Sequence, residues 1–214
     1  MLDLPPVRDL PPSLRAILIG GSSHSGKSTL ARLLAARLGW EYRSTDQLAR
    51  HPGRPWRNDG TDVPPHVVEH YSSLSVDDLV ADVLGHYQRN VLPQIVALVG
   101  ARTSDPSARG LVLEGSAIWP EHVACLVSDK TAALWLTAGE ELLAERIRTE
   151  SRYCERAPQE QMLIAKFIQR TVAFATRMDE AVGRNGLPGI RTSRHDTAQM
   201  LERRCLEAIA SRPR

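Results

Sequence analysis

The 214-residue chain is 42% hydrophobic and 24% charged, a globular composition that can bury a sizeable core and excludes a disordered or fibrous protein. A formal net charge of +2 gives no bulk electrostatic drive toward nucleic acid, and no run approaches the ~18–20 apolar residues that suit a bilayer. Cys125, Cys154 and Cys205 are scattered, with no Cys-x-x-Cys pair, which points to free thiols in a reducing compartment rather than to disulfides or zinc.

Residues 1–13, MLDLPPVRDLPPS, read as a leader broken by paired prolines and acids. It does not fit a secretory signal, and a cytoplasmic location is expected. The apolar run from Arg15 to Gly20 predicts a buried parallel strand. A helix is expected from Lys27 to Leu38, because Leu30, Leu33, Leu34 and Leu38 share one face and Gly39 supplies the stop. Trp40–Ser44 follows as a second strand, completing a strand-helix-strand unit. Residues 51–65, HPGRPWRNDGTDVPP, read as a loop.

A long helical stretch is predicted from Ser75 to Ala101, opened by a Ser75/Asp78 cap and kinked at Pro93. Leu111–Glu114 and Ala132–Leu136 give a third and a fourth strand. Helices are expected over Glu140–Tyr153 and Pro158–Val182, then a weak fifth strand at Gly189–Thr192 and a terminal helix from near Asp196. The alternation predicts an α/β fold, a parallel five-stranded sheet flanked by helices.

Between the first strand and the first helix stands Gly21-Ser22-Ser23-His24-Ser25-Gly26-Lys27-Ser28, a full match to G-x-x-x-x-G-K-[ST] in the context that motif requires. Small residues let successive backbone N–H groups turn toward phosphate oxygens, and the helix N-terminus adds a positive dipole end. Lys27 is expected on the β- and γ-phosphates and the Ser28 hydroxyl on Mg²⁺, with Thr29 beside them; a nucleoside triphosphate and Mg²⁺ are the expected cofactors, with ATP and GTP both open at this point. A regulatory GTPase needs an Asn-Lys-x-Asp guanine reader, and none of Lys27, Lys130 and Lys166 follows an asparagine. An ABC signature is missing, and the third strand ends in Glu114-Gly115 where motor ATPases carry Asp-Glu.

The phosphate loop, Asp46 behind the second strand and the arginine-rich segment 146–156 together resemble the P-loop small-molecule and nucleoside/nucleotide kinase group. That group includes shikimate, gluconate and chloramphenicol-type phosphotransferases, and a weaker resemblance runs to 2-phosphoglycerate-kinase-like proteins. The match covers Leu14 to the C-terminus, in order of elements more than in identity. It implies the P-loop NTPase fold over residues 14–214, with a helical substrate-binding insert at about 51–110 and a short lid at about 146–160. The implied activity is Mg²⁺-assisted transfer of the γ-phosphoryl group of ATP to a hydroxyl of a small molecule. A nucleoside or nucleotide kinase, an antibiotic or natural-product phosphotransferase, and a regulatory NTPase stay open as alternatives. No nucleic-acid or membrane partner is expected, and the acceptor and oligomeric state are left unspecified.

The same resemblance implies roles for individual residues. Asp46 would orient the acceptor hydroxyl or take its proton, although an aspartate there also suits the cap of a short helix at Gln47–Arg50. Arg50 and Arg54, near His51 and Trp56, would clamp an anionic or polyhydroxyl acceptor. Glu114 would organise Mg²⁺ or touch the substrate, and Trp119 would wall a pocket or join the core. Arg146 would pack on adenine, and Arg152, in line with Arg148 and Arg156 at i, i+4, i+8, would close on the transferring phosphoryl group. Arg170 and Arg177 are weaker candidates. His66 and His70 have a metal-capable i, i+4 spacing, but two ligands are too few, and they read as surface or packing residues.

Overall fold

A computed structural model describes residues 10–49 and 51–211, so most of the leader and Arg50 lie outside the described residues. Five strands form one sheet: β1 (Ala16–Gly21), β2 (Glu41–Ser44), β3 (Leu111–Glu114), β4 (Thr131–Ala138) and β5 (Gly189–Thr192). They run parallel throughout, in the order β2-β3-β1-β4-β5. Parallel neighbours need crossovers, so helices cover both faces and the central strand is apolar from end to end. All six residues of β1 are buried.

Alternation along β1 assigns the faces. Ile17 and Ile19 pack with Leu30 and Leu34 of α1 (Lys27–Leu38) and with Cys205 and Ile209 of α8 (Ala198–Ala210). Leu18 points the other way, onto Ile95 and Val99 of α4 (Leu92–Ser104) and Phe174 and Met178 of α7 (Pro158–Arg184). Trp135 fills that second face completely and donates its indole N–H to the Ile118 carbonyl at 2.8 Å. Trp119 is buried there too, edge-on to Phe174 at 5.2 Å, so it belongs to the core and not to a pocket wall.

Between β2 and β3 lie α2 (Pro65–Ser73) and α3 (Val76–His86). The Ser75 cap forms as expected, its hydroxyl accepting from the Asp78 amide at 3.1 Å. The long helical stretch expected over 75–101 forms from Val76 to Ser104, with its irregularity just before Pro93. A widened π-type turn, Tyr87–Val91, separates α3 from α4. Pro93 offers no N–H and its ring crowds the preceding turn, and one extra residue in the turn relieves both problems. Within the segment expected to be the insert, α4 lies on the sheet. The part standing off the sheet is the 51–64 loop with α2 and α3, which packs Trp56, Tyr71 and Leu79 against Ile147, Leu163 and Phe167. These last residues belong to α7 and to α6 (Glu140–Ser151), which follows β4; a short α5 (Pro120–Val123) precedes that strand. Among the described residues no helix is long and apolar enough to cross a membrane.

Candidate active site

The loop between β1 and α1 is shaped by glycine where glycine is needed. Gly26 caps α1 with φ 97°, a left-handed value that sends the chain round the loop and leaves the first amides of the helix free. Lys27 is buried, and its Nζ donates to the Ser22 carbonyl at 3.2 Å. Burial pushes its pKa down, while Glu114 and then Asp46 hold it up. The hydroxyls of Ser22 and Ser25 are buried with no hydrogen-bond partner among the described residues. A buried ammonium without a carboxylate contact, orphaned hydroxyls and free helix amides in one loop make a cradle for a polyanion, so the residues fit a nucleotide's phosphates.

Strand register brings the acid to the loop. Glu114 ends β3 opposite Ile19 of β1 and Ser44 of β2. Its buried Oε1 accepts from Ser28 Oγ at 3.1 Å and from the Tyr42 hydroxyl at 2.9 Å. Serine hydroxyl and carboxylate side by side are the hard oxygen donors that Mg²⁺ prefers, so the set fits that ion. Gly115 then turns with φ 153°, and a Cβ there would sit 1.7 Å from Thr45 Oγ1. Only glycine lets β3 pass that close to the Asp46 turn.

Asp46 lies in a short turn, Thr45–Gln47, capped by Ser44, whose hydroxyl accepts from the Asp46 amide at 3.3 Å. The capping role therefore belongs to Ser44. The Asp46 carboxylate is exposed to the cleft and has no hydrogen bond or ion pair among the described residues.

One cleft of about 1310 Å³ runs over the carboxyl ends of the strands. It exceeds the roughly 300–1,000 Å³ of a single-ligand pocket and has room for two. His24, Gly26, Lys27, Ser28 and Thr29 line it from the loop, and Asp46 and Arg54 line it from across. Arg146 reaches it from α6, with Nη1 donating to the His24 carbonyl at 2.7 Å. The sequence reading missed Tyr87, Ser116 and Arg194, and ranked Arg170 low, yet all four line the same cleft. Arg194 follows β5, and the carboxyl-end rule that selects Asp46 selects it as well.

Arg152 is placed elsewhere. It is exposed, sits in the left-handed conformation (φ 53°) that closes α6, and does not line the cleft. The helix ends at Ser151, so the i, i+4, i+8 face that led to Arg152 is not continuous. Arg156 is taken up by the Arg57 carbonyl at 2.7 Å and Asn58 Oδ1 at 2.6 Å, latching the 51–64 loop to the segment that joins α6 and α7. Arg54 reinforces that latch by pairing with Glu150 and lying 5.6 Å over the Trp56 ring. Trp56 stacks edge-on to Phe167 at 4.9 Å, and His24 lies 6.2 Å from both rings. Burial, then Arg54, Lys27 and Arg146, lower the His24 pKa to about 4. Burial and Arg170 do the same to His51.

No family model matches the sequence, and a search of curated proteins finds no match. Solved structures do resemble it. A sugar kinase from Janibacter sp. HTCC2649 is 17% identical with a TM-score of 0.54, over 92% of this chain and 94% of that one. Shikimate kinase from Acinetobacter baumannii, in complex with shikimate, is 18% identical with a TM-score of 0.51, over 92% and 94%. Deoxyadenosine kinase from M. mycoides, with bound dATP, is 12% identical with a TM-score of 0.51, over 92% and 100%. The chain has the α/β P-loop fold that these kinases share.

Proposed function

We propose that the protein is a phosphotransferase that moves the γ-phosphoryl group of ATP onto a hydroxyl of a small-molecule acceptor. One observation carries the reading: the Asp46 carboxylate, without a hydrogen bond or ion pair among the described residues, lines the same cleft as the phosphate loop, with the Ser28–Glu114 pair on the loop side. The three solved kinases of this fold support the same reaction class.

In this reading the loop amides and Lys27 hold the β- and γ-phosphate oxygens. Ser28 and Glu114, already hydrogen-bonded to each other, would hold Mg²⁺, which would supply positive charge to offset that of the phosphates. Asp46 aligns the acceptor hydroxyl and takes its proton late, because phosphoryl transfer is largely dissociative. Arg170 replaces Arg152 as the arginine that meets charge on the transferring group, since it lines the cleft and Arg152 does not. Arg146 and Arg194 flank the nucleotide side. Arg54, Tyr87 and Ser116 face the acceptor, a polar and cationic wall suited to a hydroxylated, anionic molecule. The reading treats residues 14–214 as one kinase unit, with the 51–64 loop, α2 and α3 as acceptor insert and about 146–160 as lid.

The test is ADP formation from Mg²⁺-ATP with and without fractionated pools of hydroxylated metabolites. At least one fraction should raise the rate well above basal hydrolysis. A rate indifferent to every fraction would favour a nucleotide-dependent regulator instead.

A further inference from the structure

Where the 51–64 loop meets α2 and α3, three segments bring imidazoles to one carboxylate. His51 comes from the loop behind Asp46, His70 from the last turn of α2, and Asp82 and His86 from α3. His51 Nε2 lies 3.2 Å from Asp82 Oδ2, and His70 Nε2 lies 4.0 Å from that same oxygen. The donor atoms of His51, His70 and Asp82 all fall within 4.8 Å of one another. The His51 ring also stands edge-on to His70 at 5.4 Å and to His86 at 5.1 Å. His86 has Nδ1 occupied by the Asn90 amide at 3.0 Å, while its Nε2 is buried with no hydrogen-bond partner among the described residues.

Tetrahedral zinc with bonds of ~2.0–2.1 Å sets its donors roughly 3.3 Å apart. The His51–Asp82 edge already has that length, and the His70–Asp82 edge reaches it by a sub-ångström shift of side chains. His51 and His70 side chains are 15% and 12% exposed and Asp82 is 46% exposed, so the group is held by packing on one side and open to an entering ion on the other. The Arg170 charge reaches both imidazoles and opposes a dication, and the Asp82 carboxylate offsets it.

We infer that His51, His70 and Asp82 form a binding site for a borderline transition-metal dication of the Zn²⁺ class, with His86 Nε2 or a water as fourth ligand. Such an ion clips the loop carrying His51 and Arg54 to α2 and α3, fixing the insert from three separate segments. The site stands independently of the phosphoryl-transfer reading.

The test uses the full chain, stripped of metal and saturated with Mg²⁺ so that the Ser28–Glu114 donors are engaged, then titrated with Co²⁺ alone. Expected are one Co²⁺ per chain, a visible ligand-field absorption of tetrahedral type, displacement by Zn²⁺, and a raised Tm. His70→Gln and Asp82→Asn should each weaken uptake at least tenfold, while His195→Gln, far from the cluster, should not. X-ray absorption of the wild-type Co²⁺ protein should show a shell of at least two imidazoles, and this reading holds even where a variant fails to fold. No stoichiometric uptake would overturn the proposal. So would uptake undiminished in both cluster variants, or an intense near-ultraviolet band placing the ion on a cysteine thiolate.

Discussion

The two walls of the cleft are built on different plans. The wall proposed to hold the phosphates comes from one short stretch of chain between Ser23 and Thr29, whose shape follows from Gly26 and the start of α1. The opposite wall, proposed above to take the acceptor, is assembled from Asp46, Arg54, Tyr87, Ser116 and Arg170, which lie on five separate segments brought together as the 51–64 loop, α2 and α3 pack on α6 and α7. A contiguous loop tolerates little change because every part serves the same anion. A dispersed wall lets one scaffold change its acceptor by exchanging side chains, which suits a fold shared by sugar, shikimate and deoxyadenosine kinases.

Substitutions can break that contrast. Lys27→Ala should have the largest effect, removing measurable turnover while leaving the fold intact by circular dichroism, because it deletes the one buried cation among orphaned hydroxyls. Activity within about threefold of wild type would end the phosphate-loop assignment. Asp46→Asn should lower kcat with acceptor by roughly 10²–10⁴-fold. ATP affinity by calorimetry should stay within a few-fold and Tm should hardly move, since Ser44 and not Asp46 caps the turn. Weak Mg²⁺-ATP binding with normal saturated turnover would instead put Asp46 in the metal shell.

Arginine substitutions sharpen the comparison. Arg170→Ala should cost about tenfold or more in kcat with a smaller change in KM for ATP, less than the roughly 10³–10⁵-fold of a full arginine finger because Arg54 shares the wall. Arg152→Ala should stay within about twofold, as its side chain leaves the cleft. The reverse ranking would show that the lid closes further than the geometry here and brings Arg152 in.

The smallest effect concerns pH. The folded pKa of His24, about 4, lies below its ordinary 6.5, so the unfolded chain takes up a proton first as pH falls. Stability from this group is complete above about 6.5 and is lost toward 4, with His51 acting in the same sense. His24→Asn, which tolerates φ 64°, should flatten the pH dependence of the unfolding free energy from urea titration over that window, by up to about 1.4 kcal/mol per pH unit. An unchanged slope would contradict the burial argument.

Much of the scaffold was legible because each element carried its own period. The Leu30–Leu38 face and the apolar β1 run needed no tertiary information, and the phosphate motif fixed its own context. The acceptor wall was not legible in that way. Residues 51–65 have no period, and their positions come from Trp56 burying against Phe167. Tyr87 enters the cleft through a widened turn that no helical repeat announces. Arg152 was favoured by counting i+4 steps past a helix end set by a left-handed residue. Arg170 did leave a signal, since it stands three residues after Phe167 and four before Phe174 and its guanidinium lies 5.8 Å over each ring. An arginine on the apolar face of α7 has to be pointing at something polar.

The most direct measurement follows the label of γ-³³P-ATP after incubation with a small-molecule extract and asks where the phosphoryl group ends. The account predicts label on an organic phosphate with wild type, none with Lys27→Ala, and label mostly as unreacted ATP with Asp46→Asn. Label released only as inorganic phosphate, at the same rate in wild type and Asp46→Asn, would contradict it.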